Sequence, residues 1–204
     1  MNQVTTITSG QDSIFMYLTK LWEYRSLVIV FAKRDLKVRY AQTFLGIFWI
    51  LLQPVPSILI FTFFFGMLIK ADTGKLPYPV FALIGMIGWN YFTNLTSGIG
   101  NALIESQHIL QKIYFPKIIL LFSKVLVGAV DFLVSFALIV VAMLLFSVFP
   151  NWTIVLFPIF FSLNILVGFS VGIWIASLTF RYRDFHYIAP IIINFCIWLT
   201  PVFY

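Results

Sequence analysis

The sequence is short of charge, of cysteine and of any recognisable catalytic motif. Asp, Glu, Lys and Arg together make up 10% of its 204 residues, against roughly a quarter in soluble domains, which excludes an ordinary water-soluble globule. A single cysteine, Cys196, cannot form an intrachain disulfide, lacks the paired spacing of a metal site, and reads as packing. His108 has no Cys, His or carboxylate pair at ligand spacing, so it reads as solvated and no metal is expected. A GxxxxGK[ST] phosphate loop is missing, since Gly74-Lys75 lacks both the upstream glycine and the hydroxyl residue. HExxH, CxxC, GxSxG and GxGxxG are absent too, and the seven acidic residues offer no catalytic pair. The expectation is a chain that is not an enzyme, has no catalytic residue and binds no cofactor itself.

What is present is hydrocarbon. Hydrophobic residues account for 61% of the chain and mean hydropathy is +1.00. The apolar runs are long and continuous, which suits helices of about 20 residues crossing a bilayer better than the short alternating strands of a barrel. The fold class expected is therefore all-α integral membrane, a helical bundle. The net charge of +6 sits beside the apolar runs instead of forming a free basic domain, so positive-inside anchoring accounts for it better than a nucleic-acid partner does.

The run KRDLKVRYAQTFLGIFWILLQPVP at 33–56 organises the rest, because charge stops and hydrocarbon begins within five residues. Residues 1–13 are polar and without period, which suggests a mobile tail and no signal peptide. From 14 to 40, apolar and charged residues alternate at intervals of three, four and seven, the pattern of an amphipathic helix lying along the membrane interface, with a solvated juxtamembrane helix as the alternative. Domain organisation follows: 1–40 as tail and interface helix, 41–204 as a transmembrane domain with spans near 41–69, 78–104, 118–147, 153–179 and 188–204.

Each span carries one informative feature. The first would run to roughly 43 Å and holds Gln53-Pro54-Val55-Pro56 near its middle, where missing backbone donors predict a kink facing protein or a cavity. On the second, Asn90, Asn94, Ser97 and Asn101 fall on one narrow face continued by Glu105, which lines an aqueous path or bonds across a helix interface. The third holds Lys124 and Asp131 on one face, about 10 Å apart, too far for a direct pair. Asp131 is the deeper of the two, either a functional ionisable group or an acceptor for a neighbouring span. The fourth has Gly168, Gly172 and Ala176 at four-residue spacing, a small-residue face for close packing within the bundle or against another subunit. The fifth contains Pro190 and Asn194. Two short polar and aromatic connections, 105–117 and 180–187, separate the second span from the third and the fourth from the fifth. Ten of the thirteen Lys and Arg residues precede the first span or fall in these two connections, with only Lys70 and Lys75 in the loop after the first span, which places the N-terminus inside.

With these residues set out, the chain resembles a family. KVRYAQTFLGIFW at 37–49 with Gln53-Pro54, IYFPK at 113–117, Val130-Asp131-Phe132, RYRD at 181–184 and TPVFY at 200–204 are similar, in order and spacing, to motifs of the type-2 ABC exporter permeases that move lipid-linked polysaccharides and teichoic acids. The resemblance implies a homodimer of permeases in the cytoplasmic (inner) membrane, carrying a lipid-linked glycan and bound to a separate ABC ATPase that holds ATP and Mg. It makes 14–40 the interface helix, with Lys33, Arg34, Lys37, Arg39 and Tyr40 at its membrane end. Glu105, His108, Lys112, Tyr114, Phe115 and Pro116 become the first ATPase-coupling element, and Arg181, Arg183 and Asp184 the second. Phe44, Phe48 and Trp49, with Asn90, Asn94, Ser97 and Asn101, become candidates for the pathway, lipid contact being the alternative for the aromatics. The family has six spans, and this sequence stops where the external re-entrant helices before the sixth are expected, which points to a truncated product. Competing expectations are a permease for drugs or simple lipids, a proton-coupled secondary transporter using Asp131, and a non-transporting membrane scaffold.

Overall fold

The computed structural model describes residues 22–41, 46, 48–70, 73–74, 76–113 and 115–200. Phe44, Tyr114, the tail and the motif beyond Thr200 lie outside the described residues. Among the described residues all regular structure is helical: α1 (Arg25–Tyr40), α2 (Phe48–Leu52), α3 (Pro54–Phe61) running into a π-helical turn (Thr62–Leu68), α4 (Tyr78–Glu105), α5 (Gln107–Leu110), α6 (Ile118–Leu145), a 3-10 turn (Trp152–Leu156) leading into α7 (Phe157–Arg181), and α8 (Phe185–Cys196). Among the described residues, three stretches are long and apolar enough to cross a bilayer: Phe48–Leu68, Ile118–Leu145 and Trp152–Arg181. Helix α4, at 28 residues, is as long as α6.

The first apolar stretch is not one continuous helix. It breaks at Gln53, and Pro54 opens α3 at a position where the missing N–H costs nothing. Gly46, between α1 and α2, adopts φ 51°, a left-handed conformation that a side chain at this position would strain. At the far end of α6, Ser147 takes φ 54° while the N–H of Val148 reaches the Met143 carbonyl at 2.9 Å. That 6→1 bond ends the helix with its last carbonyls satisfied.

Helix α4 is the centre of the bundle. It packs chiefly against α7 and next against α6, and Leu95, Ile99, Thr96 and Ala102 on it are almost fully buried. The small residues of α7 explain the close α4–α7 contact. A Cβ added at Gly172 would stand 2.8 Å from the Ile99 Cβ and 3.3 Å from the Thr96 carbonyl oxygen, and one at Gly168 would stand 3.1 Å from Leu95. Thr96 uses that approach to donate a 3.3 Å hydrogen bond to the Gly168 carbonyl. The small-residue face is therefore spent inside the bundle.

Aromatic rings fill the opposite seam. Phe132 of α6 meets Phe161 of α7 at 4.3 Å between centroids, and Tyr91 of α4 meets Phe161 at 5.0 Å. Such tilted contacts use the ring quadrupole as well as area. Part of the aromatic excess in the sequence is thus internal packing, while rings such as Phe63, Phe149, Trp152 and Trp174 are exposed on the outside of the bundle.

Candidate functional site

The site begins with charges that have no business in an apolar bundle unless they are paired. Helix α1 carries Asp35 and Arg39 one turn apart; α6 carries Lys124 and Asp131 two turns apart. The two pairs have opposite polarity along their helices, and the structure matches them. Lys124 Nζ lies 3.0 Å from Asp35, and Arg39 Nη1 donates to Asp131 Oδ2 at 2.5 Å. Tyr40 Oη donates to the other Asp131 oxygen at 2.7 Å, so a carboxylate in a residue only 8% exposed has both oxygens engaged. Sliding α1 along α6 by one rung would bring Asp35 towards Asp131, so this pattern also fixes register.

The ladder continues past these two rungs. Arg34 holds the other face of Asp35 at 2.7 Å, Lys124 also binds Glu105 at 2.7 Å, and Phe31 packs on Phe115 at 5.3 Å between centroids. Burial works against the charged form of Asp35, but the bonds and charge of Lys124 and Arg34 outweigh it and hold the carboxyl below its ordinary range. Burial, reinforced by the bond to Asp131, pushes the Tyr40 hydroxyl up to about 12, so it stays protonated as a donor. Contacts advance in the same direction along α1 and α6, from Phe31 with Phe115 to Arg39 with Asp131. Helix α1 therefore climbs beside α6 with its C-terminal end nearest the middle of that helix.

Directly beside the Arg39–Asp131–Tyr40 cluster lies a cavity of about 480 Å³. Its wall takes Trp49, Gln53 and Pro54 from the broken first stretch, Asn90, Tyr91, Thr93, Asn94 and Ser97 from α4, Asp131 and Ser135 from α6, and Pro190 and Asn194 from α8. The Tyr91 and Thr93 hydroxyls are buried and have no partner among the described residues, so the space calls for water or a hydroxyl-bearing guest. The lining is rich in carboxamides and hydroxyls, and its one cation and one anion neutralise each other.

The structure sorts the expected site residues. Asn90, Asn94, Ser97 and Trp49 line the cavity with Asp131, Arg39 and Tyr40. Phe48 does not: it is 66% exposed on the outside of the bundle, as its place one residue before Trp49 on a helix requires. Asn101 also leaves the cavity, its Oδ1 lying 2.8 Å from His186 Nδ1 and tying α4 to the start of α8. The first connection, 105–117, contains one short helix. Among the described residues after α4, only Gln107–Leu110 is helical, and Phe115 turns inward onto Phe31, leaving His108 and Lys112 exposed and Pro116 half-buried just before α6. Arg181, Arg183 and Asp184 are exposed on the second connection, and Lys117 lies 5.7 Å from the Phe180 ring, so the two connections are neighbours. Lys33 and Lys37 point away from the bundle, whereas Arg34 is half-buried.

Sequence reasoning missed the Asp35–Lys124–Glu105 connection, and also Tyr91, Thr93, Ser135 and Asn194 as lining residues. A signal for the ion pair existed. Asp35 is the one acid within the basic run 33–39 and Lys124 the one cation within an apolar helix, and two such oddities of opposite sign are natural partners.

Comparisons with known proteins agree over most of the chain. The profile of the family described as ABC-2 type transporter matches residues 26–204. An O-antigen export system permease protein RfbA from Myxococcus xanthus is 27% identical over 185 residues, covering 91% of this chain and 70% of the relative. Two proteins of the same description from Klebsiella pneumoniae are 26% and 24% identical, each covering 87% of this chain and 68% of the relative.

Proposed function

The chain belongs to the ABC-2 type transporter family, a multi-pass membrane permease subunit, and on that premise we propose that it moves a lipid-linked polysaccharide across the cytoplasmic membrane. The relatives named as O-antigen export permeases support the glycan class. The single observation that carries the reading is the cavity. Its carboxamide and hydroxyl lining, its neutralised ion pair and its two unpartnered hydroxyls suit a neutral, hydroxyl-rich guest, and they suit a hydrocarbon or a strongly anionic one poorly.

In this proposal the chain works as a homodimer with two copies of a separate ABC ATPase, which supplies ATP and Mg, and its N-terminus is cytoplasmic. The connections at 105–117 and 180–187 receive the ATPase, with Glu105, His108, Lys112, Tyr114, Phe115, Pro116, Arg181, Arg183 and Asp184 as the coupling residues. A push on the first connection reaches α1 through Phe115 and Phe31, and reaches α6 through Glu105 and Lys124. Both routes meet at Arg39, Tyr40 and Asp131 in the cavity wall, so displacement of α1 against α6 alters the cavity directly.

The test is ATP-driven movement of lipid-linked glycan in vesicles holding this chain and its ATPase. Export that requires ATP, and that falls in Lys124→Gln while the complex still assembles, supports the proposal. Transport that persists without ATP, or a chain that copurifies with no ATPase from a strain whose neighbouring gene encodes one, overturns it.

A further inference from the structure

Arg25 at the start of α1 turns back onto Trp22, and the other four cations of the helix divide into two sets, of which only one is used inside the protein. Arg34 and Arg39 are taken up by Asp35 and Asp131. Lys33 and Lys37 are exposed and, among the described residues, have no acidic partner. They stand one turn apart at the centre of the face that also carries Ser26, Ile29 and Val30, all exposed, while Val28, Phe31 and Ala32 on the other side are buried. Unpaired ammonium groups on a half-apolar face are poorly placed for another protein core and well placed for a headgroup layer, where the stems lie along hydrocarbon and the charges reach phosphate.

Position along the bundle points the same way. Lys33 and Lys37 bracket Asp35, which is level with Lys124 and Glu105, the densest band of ion pairs in the structure. Such a band belongs at the interface, because beyond Asp131 the remaining turns of α6 carry no charge at all. The chain also enters its first apolar stretch at Phe48, eight residues after Tyr40, so α1 is held at the membrane by its own continuation.

We propose that Lys33 and Lys37 form a binding site for acidic phospholipid headgroups, with Ile29 and Val30 beside them against the lipid. This site is separate from the polar cavity and does not depend on what the protein exports. Its role is to hold the outer side of α1 to the membrane surface while the inner side holds α6, so that the helix moves as a lever between two fixed faces.

A fluorophore on Val30→Cys, in a Cys196→Ser background that leaves no other thiol, reports the site in the full chain reconstituted into vesicles. The probes are phosphatidylglycerol and phosphatidylcholine carrying a headgroup spin label. Quenching stronger with labelled phosphatidylglycerol is expected, with the preference falling about fivefold for each lysine replaced in Lys33→Gln and Lys37→Gln, weakening with salt and surviving in Lys33→Arg/Lys37→Arg. Equal quenching by the two lipids, or a preference that persists in the double Gln variant, overturns the proposal. Shielding of residue 30 that appears only when the ATPase is added assigns the face to that protein instead, and overturns it equally.

Discussion

Removing Arg39 should cost more than neutralising its partner Asp131, although the two make the same ion pair. The reason is unequal exposure: the Arg39 side chain is 48% accessible, the Asp131 side chain 11%. Arg39→Ala strands a buried carboxylate with only Tyr40 to satisfy it, a situation that costs about 3 kcal/mol at the low end for broken buried pairs. Asp131→Asn leaves an amide that still accepts from Tyr40, while the guanidinium can turn to water, so the loss is about 1.5 kcal/mol, that of one charged hydrogen bond. For a chain of this size those figures correspond to roughly 6–12 °C and 3–6 °C in melting temperature. The double variant buries no charge and should be more stable than Arg39→Ala alone, which requires a non-additivity of more than about 1.5 kcal/mol. Thermal unfolding of the four purified proteins in one detergent measures all of this. Strictly additive effects, or Asp131→Asn as the more damaging single change, would refute the claim that a buried carboxylate is the costly member of the pair.

Two further outcomes follow from other parts of the bundle. Gly172→Ala should destabilise by about 1–3 kcal/mol, the usual cost of overpacking, because its Cβ would meet the Ile99 side chain at 2.8 Å and backbone at 3.3 Å. Gly88→Ala, with nothing within 4 Å of the added carbon, should be neutral or stabilising, and a melting comparison of the two separates packing from helix propensity. The Asp35 contribution to stability should be flat from neutral pH down to its ordinary value of 3.8 and be lost only as the pH falls through the lower folded value, since the folded carboxyl holds its proton less tightly than the unfolded one. The difference in melting temperature between the parent and Asp35→Asn should therefore be constant above about pH 5 and close in acid; a difference that grows as the pH falls from 7 to 5 contradicts the assigned direction.

Much of the architecture could be read from local pattern. The small-residue face at Gly168 and Gly172 and the polar face at Asn90, Asn94 and Ser97 depend on periodicity within one helix, and each appears in the structure as a face of that helix. The prolines at 54 and 56 coincide with the interruption between α2 and α3 at Gln53. Local pattern does not say which members of a run or of a face reach a given cavity. Phe48 and Trp49 are adjacent in sequence, yet successive helical residues point about 100° apart, so only Trp49 reaches the cavity. Asn101 shares the narrow face of Asn90, but lies about three turns further along α4, beyond the cavity and level with His186.

The sequence by itself determined that this chain is a helical membrane protein, which residues share a face, and where charge is unaffordable unless matched. Those properties follow from the 3.6-residue period and from the cost of leaving backbone or charge unsatisfied in hydrocarbon. Tertiary structure alone decided how the charges are shared out. Asp131 is bound by residues 91 and 92 positions away, Asp35 is shared between its neighbour Arg34 and the distant Lys124, and Lys33 and Lys37 are left outside. No periodicity encodes a partner at that separation. It is set by which helix packs where, and that depends on the fit of Gly172 to Ile99 and of Phe31 to Phe115 as much as on the charges themselves.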